Sequence, residues 1–156
     1  MKEYLPHSKG CYCCGESNPK GLKIRFYKEE SRVVTEFIGK EEHQSYPGRI
    51  HGGILCSLLD ETMGWAPVLQ TGLMSVTGEL NFRFLKPAPL HQKLFVIGEV
   101  EKVNKRLYLA KGRIEDELGN VYITAQGKYV PMSEEQTRDV DTYLLYPPDS
   151  IRIFEK

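Results

Sequence analysis

Neither sign of charge dominates this chain: 21 basic residues balance 21 acidic ones among 156, for a formal net charge of zero at pH 7. That balance excludes the electrostatic footprint of a nucleic-acid binder or of a protein drawn to anionic membrane surfaces. Long apolar runs are also missing, the longest being too short and too interrupted to span a bilayer. Residues Met1 to Pro6 carry no apolar stretch of the signal-peptide kind, so a soluble cytoplasmic protein is the expectation. Repeats and low-complexity segments are absent. The length suits a single domain over 1–156, enough to build a real core.

Cysteine is sparse. Three of the four fall in Cys11-Tyr12-Cys13-Cys14. Without a secretory leader they do not read as a disulfide framework. His7 lies near enough in sequence to complete a set of four zinc ligands. Structural zinc sites, however, usually draw on two spaced pairs, and no second Cys/His pair follows. No metal or other cofactor is therefore expected, and the three thiols read as locally structural. Cys56 reads as a small core residue.

What the chain does have is one concentrated stretch, from Gly48 to Trp65. A glycine-rich turn, His51-Gly52-Gly53, feeds an apolar segment of helical length. The 14 residues from Gly53 to Ala66 make about 21 Å of helix. Ile54, Leu55, Leu58, Leu59, Met63 and Trp65 nearly encircle its axis, which predicts a buried helix. At 100° per residue, Ser57, Asp60, Glu61 and Gly64 form one narrow polar face. Buried carboxylates are expensive unless paired, hydrogen-bonded or functional. The helix start offers backbone N–H groups that have no partner inside the helix, and glycine lets another group approach them.

Around that helix the pattern is β. Residues 1–21 read as an irregular lead-in punctuated by Pro and Gly. Leu22–Lys28 alternates apolar and basic residues, and Arg32–Ile38 follows as its hairpin partner. Pro67 marks the far end of the helix, and Gln70-Thr71-Gly72 releases the chain. Four further strands are expected: one through 75–84, then 93–103, 107–115 and 121–130. The last three are joined by turns at Asn104-Lys105-Arg106 and Asp116–Asn120. Ser133-Glu134-Glu135-Gln136 is a capping box for a short helix in a C-terminal appendage, 133–156. The fold class is α+β: a curled antiparallel sheet of about six strands wrapped round one long helix. One sheet face cannot cover a helix that is apolar all round, so a second copy of the chain is the simplest cover for the rest.

The stretch from His43 through Gly53, followed by Leu58-Leu59-Asp60-Glu61, resembles the hotdog-fold acyl-CoA thioesterases of the phenylacetate-pathway, PaaI-like type. Cys14-Gly15, Asn18-Pro19 and Gly21-Leu22 look like the lead-in many of them carry. Glu79-Leu80-Asn81-Phe82 running on to Lys86-Pro87 is similar too. The likeness covers roughly residues 11–131 and leaves out the tail.

That resemblance implies thioester hydrolysis. Asp60, nine residues after the motif histidine, would be general base toward water or nucleophile. The Gly52 N–H would be the oxyanion hole, and Thr77 would help place the water or the acid. Ser45, with Gln44 beside it, falls where the family often has a polar amide. For His51 the helix start favours a structural role over that of a base. Glu61 reads as a hydrogen-bonding or interface acid that shares Asp60's stripe, so the two could exchange roles. Met63 and Trp65 would line the acyl groove, Gly53 would give close access at the helix start, and Lys86 and Arg106 are candidates for coenzyme A phosphates.

Spacing tests this transfer. Gly52 and Asp60 are eight residues, about 12 Å, apart along one helix. One carbonyl cannot lie about 3 Å from the oxyanion donor and also within one water of a base that distant. Antiparallel pairing of two central helices would bring Gly52 of one copy beside Asp60 of the other. The expectation is a homodimer, or a dimer of dimers, acting on acyl-CoA. The alternatives are an acyl-thioester hydratase or dehydratase of the same fold, and a non-catalytic acyl-CoA-binding module.

Overall fold

A computed structural model of the chain describes residues 1–154. Its elements in order are β1 (Glu3–Tyr4), β2 (His7–Ser8), β3 (Phe26–Glu29), β4 (Arg32–Ile38), α1 (Gly52–Thr71), β5 (Ser75–Phe84), β6 (Lys93–Val103), β7 (Tyr108–Asp116), β8 (Val121–Pro131), α2 (Glu134–Asp141) and β9 (Leu144–Leu145). The six long strands expected from the sequence form one antiparallel sheet, and β1 adds a seventh, in the order β1-β3-β4-β6-β7-β8-β5. The sheet curls round α1, the α+β hotdog arrangement. Helix α1 carries the chain from β4 to β5, which lies at the opposite edge of the sheet.

Local chemistry fixes the turns. Asn104 Oδ1 accepts from the N–H groups of Arg106 and Leu107, both at 2.9 Å, closing the β6–β7 hairpin. Asp116 does the same for β7–β8: its Oδ1 accepts from Leu118 N and Asn120 N, and its Oδ2 from the Tyr122 hydroxyl. The hydrogen bonds from Asn120, side chain first, hold the Asp116 carboxyl down at about 2. The capping box at Ser133 forms as read, with Ser133 Oγ accepting from Gln136 N and Gln136 Oε1 from Ser133 N.

The helix sits on the sheet where two glycines face each other. Gly98 of β6 pairs with Gly112 of β7. A Cβ at Gly98 would lie 2.6 Å from the Thr62 carbonyl oxygen, and one at Gly112 would lie 2.8 Å from Met63 Cγ. Removing both side chains lets the α1 backbone approach the strands directly. Leu58, Leu59, Met63, Leu94, Val96 and Ile114 fill the space around that contact with no exposed surface. Truncating one such leucine to alanine costs about 2–5 kcal/mol.

Two local readings need correction. The helix does not stop at Pro67 but continues to Thr71, where Gly72 adopts φ 70° and its N–H bonds the Val68 carbonyl. Proline removes one helical N–H, yet Trp65, Ala66, Pro67 and Val68 are all buried, so packing carries the helix through it. The first long strand begins at Phe26 rather than Leu22. Leu22 N and Ile24 N bond instead to the carbonyls of Tyr12 and Cys13, with Lys23 between them at φ 52°.

Both termini are tied to the same core. Strand β2 pairs with β9, Arg25 makes a two-pronged bond to Asp149 at 2.8 and 2.9 Å, and Leu5, Leu144 and Phe154 are buried. Among the described residues no helix is long and apolar enough to cross a membrane.

Candidate active site

At the start of α1, Tyr46-Pro47-Gly48-Arg49 makes a tight turn: Arg49 N bonds the Tyr46 carbonyl at 3.0 Å, and Gly48 takes φ 78°. Proline then glycine at the two central positions is the sequence such a turn requires. It delivers His51 as the helix N-cap. His51 Nδ1 accepts from Gly53 N at 2.9 Å, and its carbonyl accepts from Ile54 N at 3.0 Å. The Nδ1 acceptor places a neutral ring's proton on Nε2. Gly52 N–H donates to no acceptor among the described residues. It opens on a pocket of about 450 Å³ lined by Ser45, Arg49, Phe84 and Lys86.

Eight residues on, Asp60 faces β5 and β8. Thr77 Oγ1 donates to Asp60 Oδ1 at 2.8 Å, and the Tyr129 hydroxyl reaches the Asp60 carbonyl at 2.9 Å and the same Oδ1 at 3.3 Å. Oδ2 accepts from none of the described residues. Simple alternation puts Thr77 on the polar face of its strand, pointing away. A bulge between Thr77 and Glu79 reverses this, placing Thr77 opposite Tyr129 while Glu79 stays opposite Lys128 on the solvent side. Tyr129 reaches the helix because Gly64 leaves room: a Cβ there would lie 3.3 Å from its ring. Burial, then the Asp60 charge, pushes the Tyr129 hydroxyl's pKa well up, so it remains a donor.

The Asp60 pocket, about 230 Å³, has an apolar wall of Trp65, Val68, Met74, Val140 and Leu144. Val140 and Leu144 come from α2 and β9, and Thr137 Oγ1 docks α2 by accepting from Met74 N at 3.1 Å. Gly52 and Asp60 thus open on two different pockets of one chain. A larger hollow of about 620 Å³ lies across β5–β8 but is lined by ion-paired side chains such as Glu99, Lys111 and Arg113.

Glu61 lines the Asp60 pocket too, but turns toward the N-terminal loop. The thiols of Cys11 and Cys14 lie 3.2 and 3.1 Å from its carboxylate oxygens. Burial pushes its pKa up to about 8. Cys14 draws the Cys11 thiol down and is itself pushed up by sharing with Cys11 and by burial; burial also raises Cys13.

The structure sorts the residues singled out from the sequence. Asp60, Thr77, Glu61 and Trp65 share one pocket; Gly52, Ser45 and Lys86 share the other. Met63 does not line a groove: it is fully buried against Gly112. Arg106 lies in the β6–β7 turn and borders neither pocket. Gln44 is exposed and bridges to Ile50 through its backbone, and the Gly53 N–H is spent on the His51 cap. Sequence reasoning missed Tyr129, Arg49 and the tail residues Val140 and Leu144. For Tyr129 a signal existed: in Ala125-Gln126-Gly127-Lys128-Tyr129 it falls on the inward face, where a buried hydroxyl needs a partner.

A single long helix wrapped by a curled antiparallel sheet, with a capped glycine start and a hydrogen-bonded carboxylate midway, defines a hotdog-fold protein. The thioesterase superfamily profile matches residues 47–123. A candidate esterase from Saccharolobus solfataricus is 32% identical over 103 residues, covering 65% of this chain and 72% of that protein. The chain belongs to the thioesterase superfamily. The mouse acyl-coenzyme A thioesterase THEM4 is 27% identical over 113 residues, 71% of this chain. The chain spans about half the length of that relative, 48%.

Among solved structures, the thioesterase superfamily protein RHA08564 superposes with a TM-score of 0.72 at 24% identity, covering 78% of this chain and 60% of that one. The Escherichia coli PaaI protein of the phenylacetic acid degradation operon gives 0.66 at 21%, covering 72% and 81%. The Streptococcus mutans protein smu.793, solved bound to acetyl-CoA, gives 0.65 at 19%, covering 70% and 89%.

Proposed function

We propose that the chain hydrolyses an acyl-CoA thioester to the free acid and coenzyme A, as a homodimer with two sites. The observation that carries this reading is Asp60: its Oδ1 is held by two hydroxyl donors and its Oδ2 accepts from none of the described residues, at the mouth of an apolar pocket. The acyl group takes that pocket against Trp65 and Val140. The thioester carbonyl accepts from the Gly52 N–H of the second copy, where the helix N-terminus favours developing negative charge. Arg49 and Lys86 beside Gly52 meet the phosphates of coenzyme A.

In the general-base form, Asp60 Oδ2 takes a proton from water as its oxygen adds to the carbonyl carbon. The tetrahedral oxyanion collapses, the C–S bond breaks, and the proton passes to the leaving thiolate. In the nucleophile form Oδ2 itself attacks the carbonyl carbon, and the C–S bond breaks to release coenzyme A thiolate and leave a mixed anhydride. Water then cleaves the anhydride to the free acid and the Asp60 carboxylate, its proton passing to the thiolate. The second copy is supported by β5, an edge strand that exposes Val76 at 50% and, beside Gly52, Phe84 at 55%. The kinship to a named acyl-CoA thioesterase and the likeness to a fold solved with acetyl-CoA support the substrate class.

The test is thiol release from short, medium, long and aromatic acyl-CoAs by wild type and Asp60→Asn. The expected loss on substitution is about 10²–10⁴-fold with the dimer intact. Near wild-type turnover by the folded variant would sink the reading. Enoyl-CoA consumption without thiol release would replace it with a hydratase, and tight acyl-CoA binding without turnover with a binding module.

A further inference from the structure

We propose that Cys11, Cys14 and Glu61 form a site for a zinc-class divalent ion, with its fourth coordination position turned toward the Asp60 pocket. Two ligands come from a Cys-x-x-Cys loop and the third from α1, 47 residues further along the chain. This is why a search of the sequence for a second Cys/His pair does not find the site.

The spacing fits the ion. Zinc–sulfur bonds of about 2.3 Å and zinc–oxygen bonds of about 2.0 Å at a tetrahedral angle separate sulfur from oxygen by about 3.5 Å. Here the separations are 3.1 Å from Cys14 and 3.2 and 3.5 Å from Cys11. All three ligand atoms lie within 4.8 Å of one another. Opening these separations by up to about 0.4 Å, a small side-chain adjustment, seats an ion between the three ligands. Cys14 and Glu61 both border the pocket that Asp60 lines, so the open position faces it.

The loop is built to present these thiols. Gly15 N bonds the Cys11 carbonyl at 2.9 Å, closing Cys11 to Gly15 into one turn. A Cβ on Gly15 would lie 2.4 Å from that carbonyl oxygen and 2.5 Å from Cys11 N, so the turn accepts only glycine. Cys11 N is fixed in turn by the Ser8 carbonyl at 3.1 Å. All four cysteines are free thiols.

Glu61 is otherwise unexplained. Among the described residues its only side-chain donors are thiols, which are weak ones, with no lysine, arginine or histidine of that set in hydrogen-bond contact with it. A withdrawn carboxylate is ordinarily matched by a cation or by strong donors. A divalent ion supplies that charge and is compatible with thiolates, the form in which both cysteines bind metal. Cys13 takes no part: its thiol donates to the Ser57 carbonyl at 3.5 Å. The ion would clamp the N-terminal loop to α1 one residue beyond Asp60. It would also commit Glu61 to coordination and leave Asp60 as the acid free for chemistry.

The experiment uses the full chain, reduced and stripped with chelator, then titrated with zinc against a chromophoric competitor and with cobalt as a spectroscopic probe. The expected results are one ion per chain and a thiolate-to-cobalt charge-transfer band. Both should weaken at least about tenfold in Cys14→Ser and in Glu61→Gln, and stay unchanged in Cys56→Ser. In the wild type, zinc should protect Cys11 and Cys14 from alkylation, a readout that stands even where a variant fails to fold. Absence of the cobalt band together with unprotected thiols overturns the proposal. So does equal loss of binding in Cys56→Ser, or isolation of the untreated chain with Cys11 and Cys14 joined as a disulfide.

Discussion

Thr77 Oγ1 donates to Asp60 Oδ1 at 2.8 Å across the gap between strand β5 and helix α1. The contact exists because of a single extra residue in β5, which turns Thr77 inward to face Tyr129. Both hydroxyls converge on one carboxylate oxygen and thereby orient the other. Thr77→Val removes a hydrogen bond to a charged group, worth about 1.5–3 kcal/mol. The expected result is a kcat about tenfold to a hundredfold lower, with KM little changed, in steady-state thiol-release assays. Tyr129→Phe is expected to act in the same direction. A substitution that raised KM alone would place these residues in substrate binding instead.

Gly52 holds the first helical position, where proline is tolerated because the N–H there has no helical partner. Gly52→Pro therefore deletes the proposed oxyanion donor without breaking α1. Turnover is expected to fall about 10²–10³-fold, with helix content by circular dichroism unchanged. Mixing unfolded Gly52→Pro and Asp60→Asn chains and refolding them together tests whether each site spans two copies. Half the dimers would be mixed, each with one intact site of two, giving about a quarter of wild-type activity. No recovery on mixing would place the whole site in one chain.

The glycine pair under the helix gives a stability prediction. Gly98→Ala puts a methyl 2.6 Å from the Thr62 carbonyl oxygen, against backbone that cannot swing aside. An overpacked core of this kind loses about 1–3 kcal/mol, read as a lower urea midpoint. Gly10→Ala, with nothing within 4 Å of the added methyl, is the matched control and should shift the midpoint far less.

Acid sensitivity is expected from the β7–β8 turn. Asp116 is held at about 2 by Asn120 and Tyr122, below the roughly 3.9 of an unfolded aspartate. Between those values the unfolded chain binds the proton and the folded one does not. The contribution is thus present above about pH 4 and lost as pH falls toward 2. Asp116→Asn keeps an Oδ1 acceptor for the turn but cannot titrate. Its unfolding midpoint should fall less steeply than wild type's from pH 5 to pH 2.

Much of this protein was readable in its residues. Gly72 in the segment that releases the chain, Ser133 with Gln136, and the asparagine and aspartate turns each depend on atoms a few positions apart. Such features are legible because local hydrogen bonding and φ preference settle them before distant chain arrives. The buried helix was equally legible from apolar residues all round its axis, and so was the separation that splits Gly52 from Asp60. Pro67 misled for the converse reason: a local rule against helix lost to the burial of four consecutive side chains.

The tertiary structure decided which groups meet the two carboxylates. Tyr129 reaches Asp60 from 69 residues away, and Cys11 reaches Glu61 from 50. Alternation along a strand sends Thr77 outward, and only the mismatch of β5 against β8 brings it in. Sequence period assigns a side chain to a face within its own element. Which partner that face meets depends on register, bulges and the depth at which glycines let helix and sheet approach, and these are set only when the whole core packs.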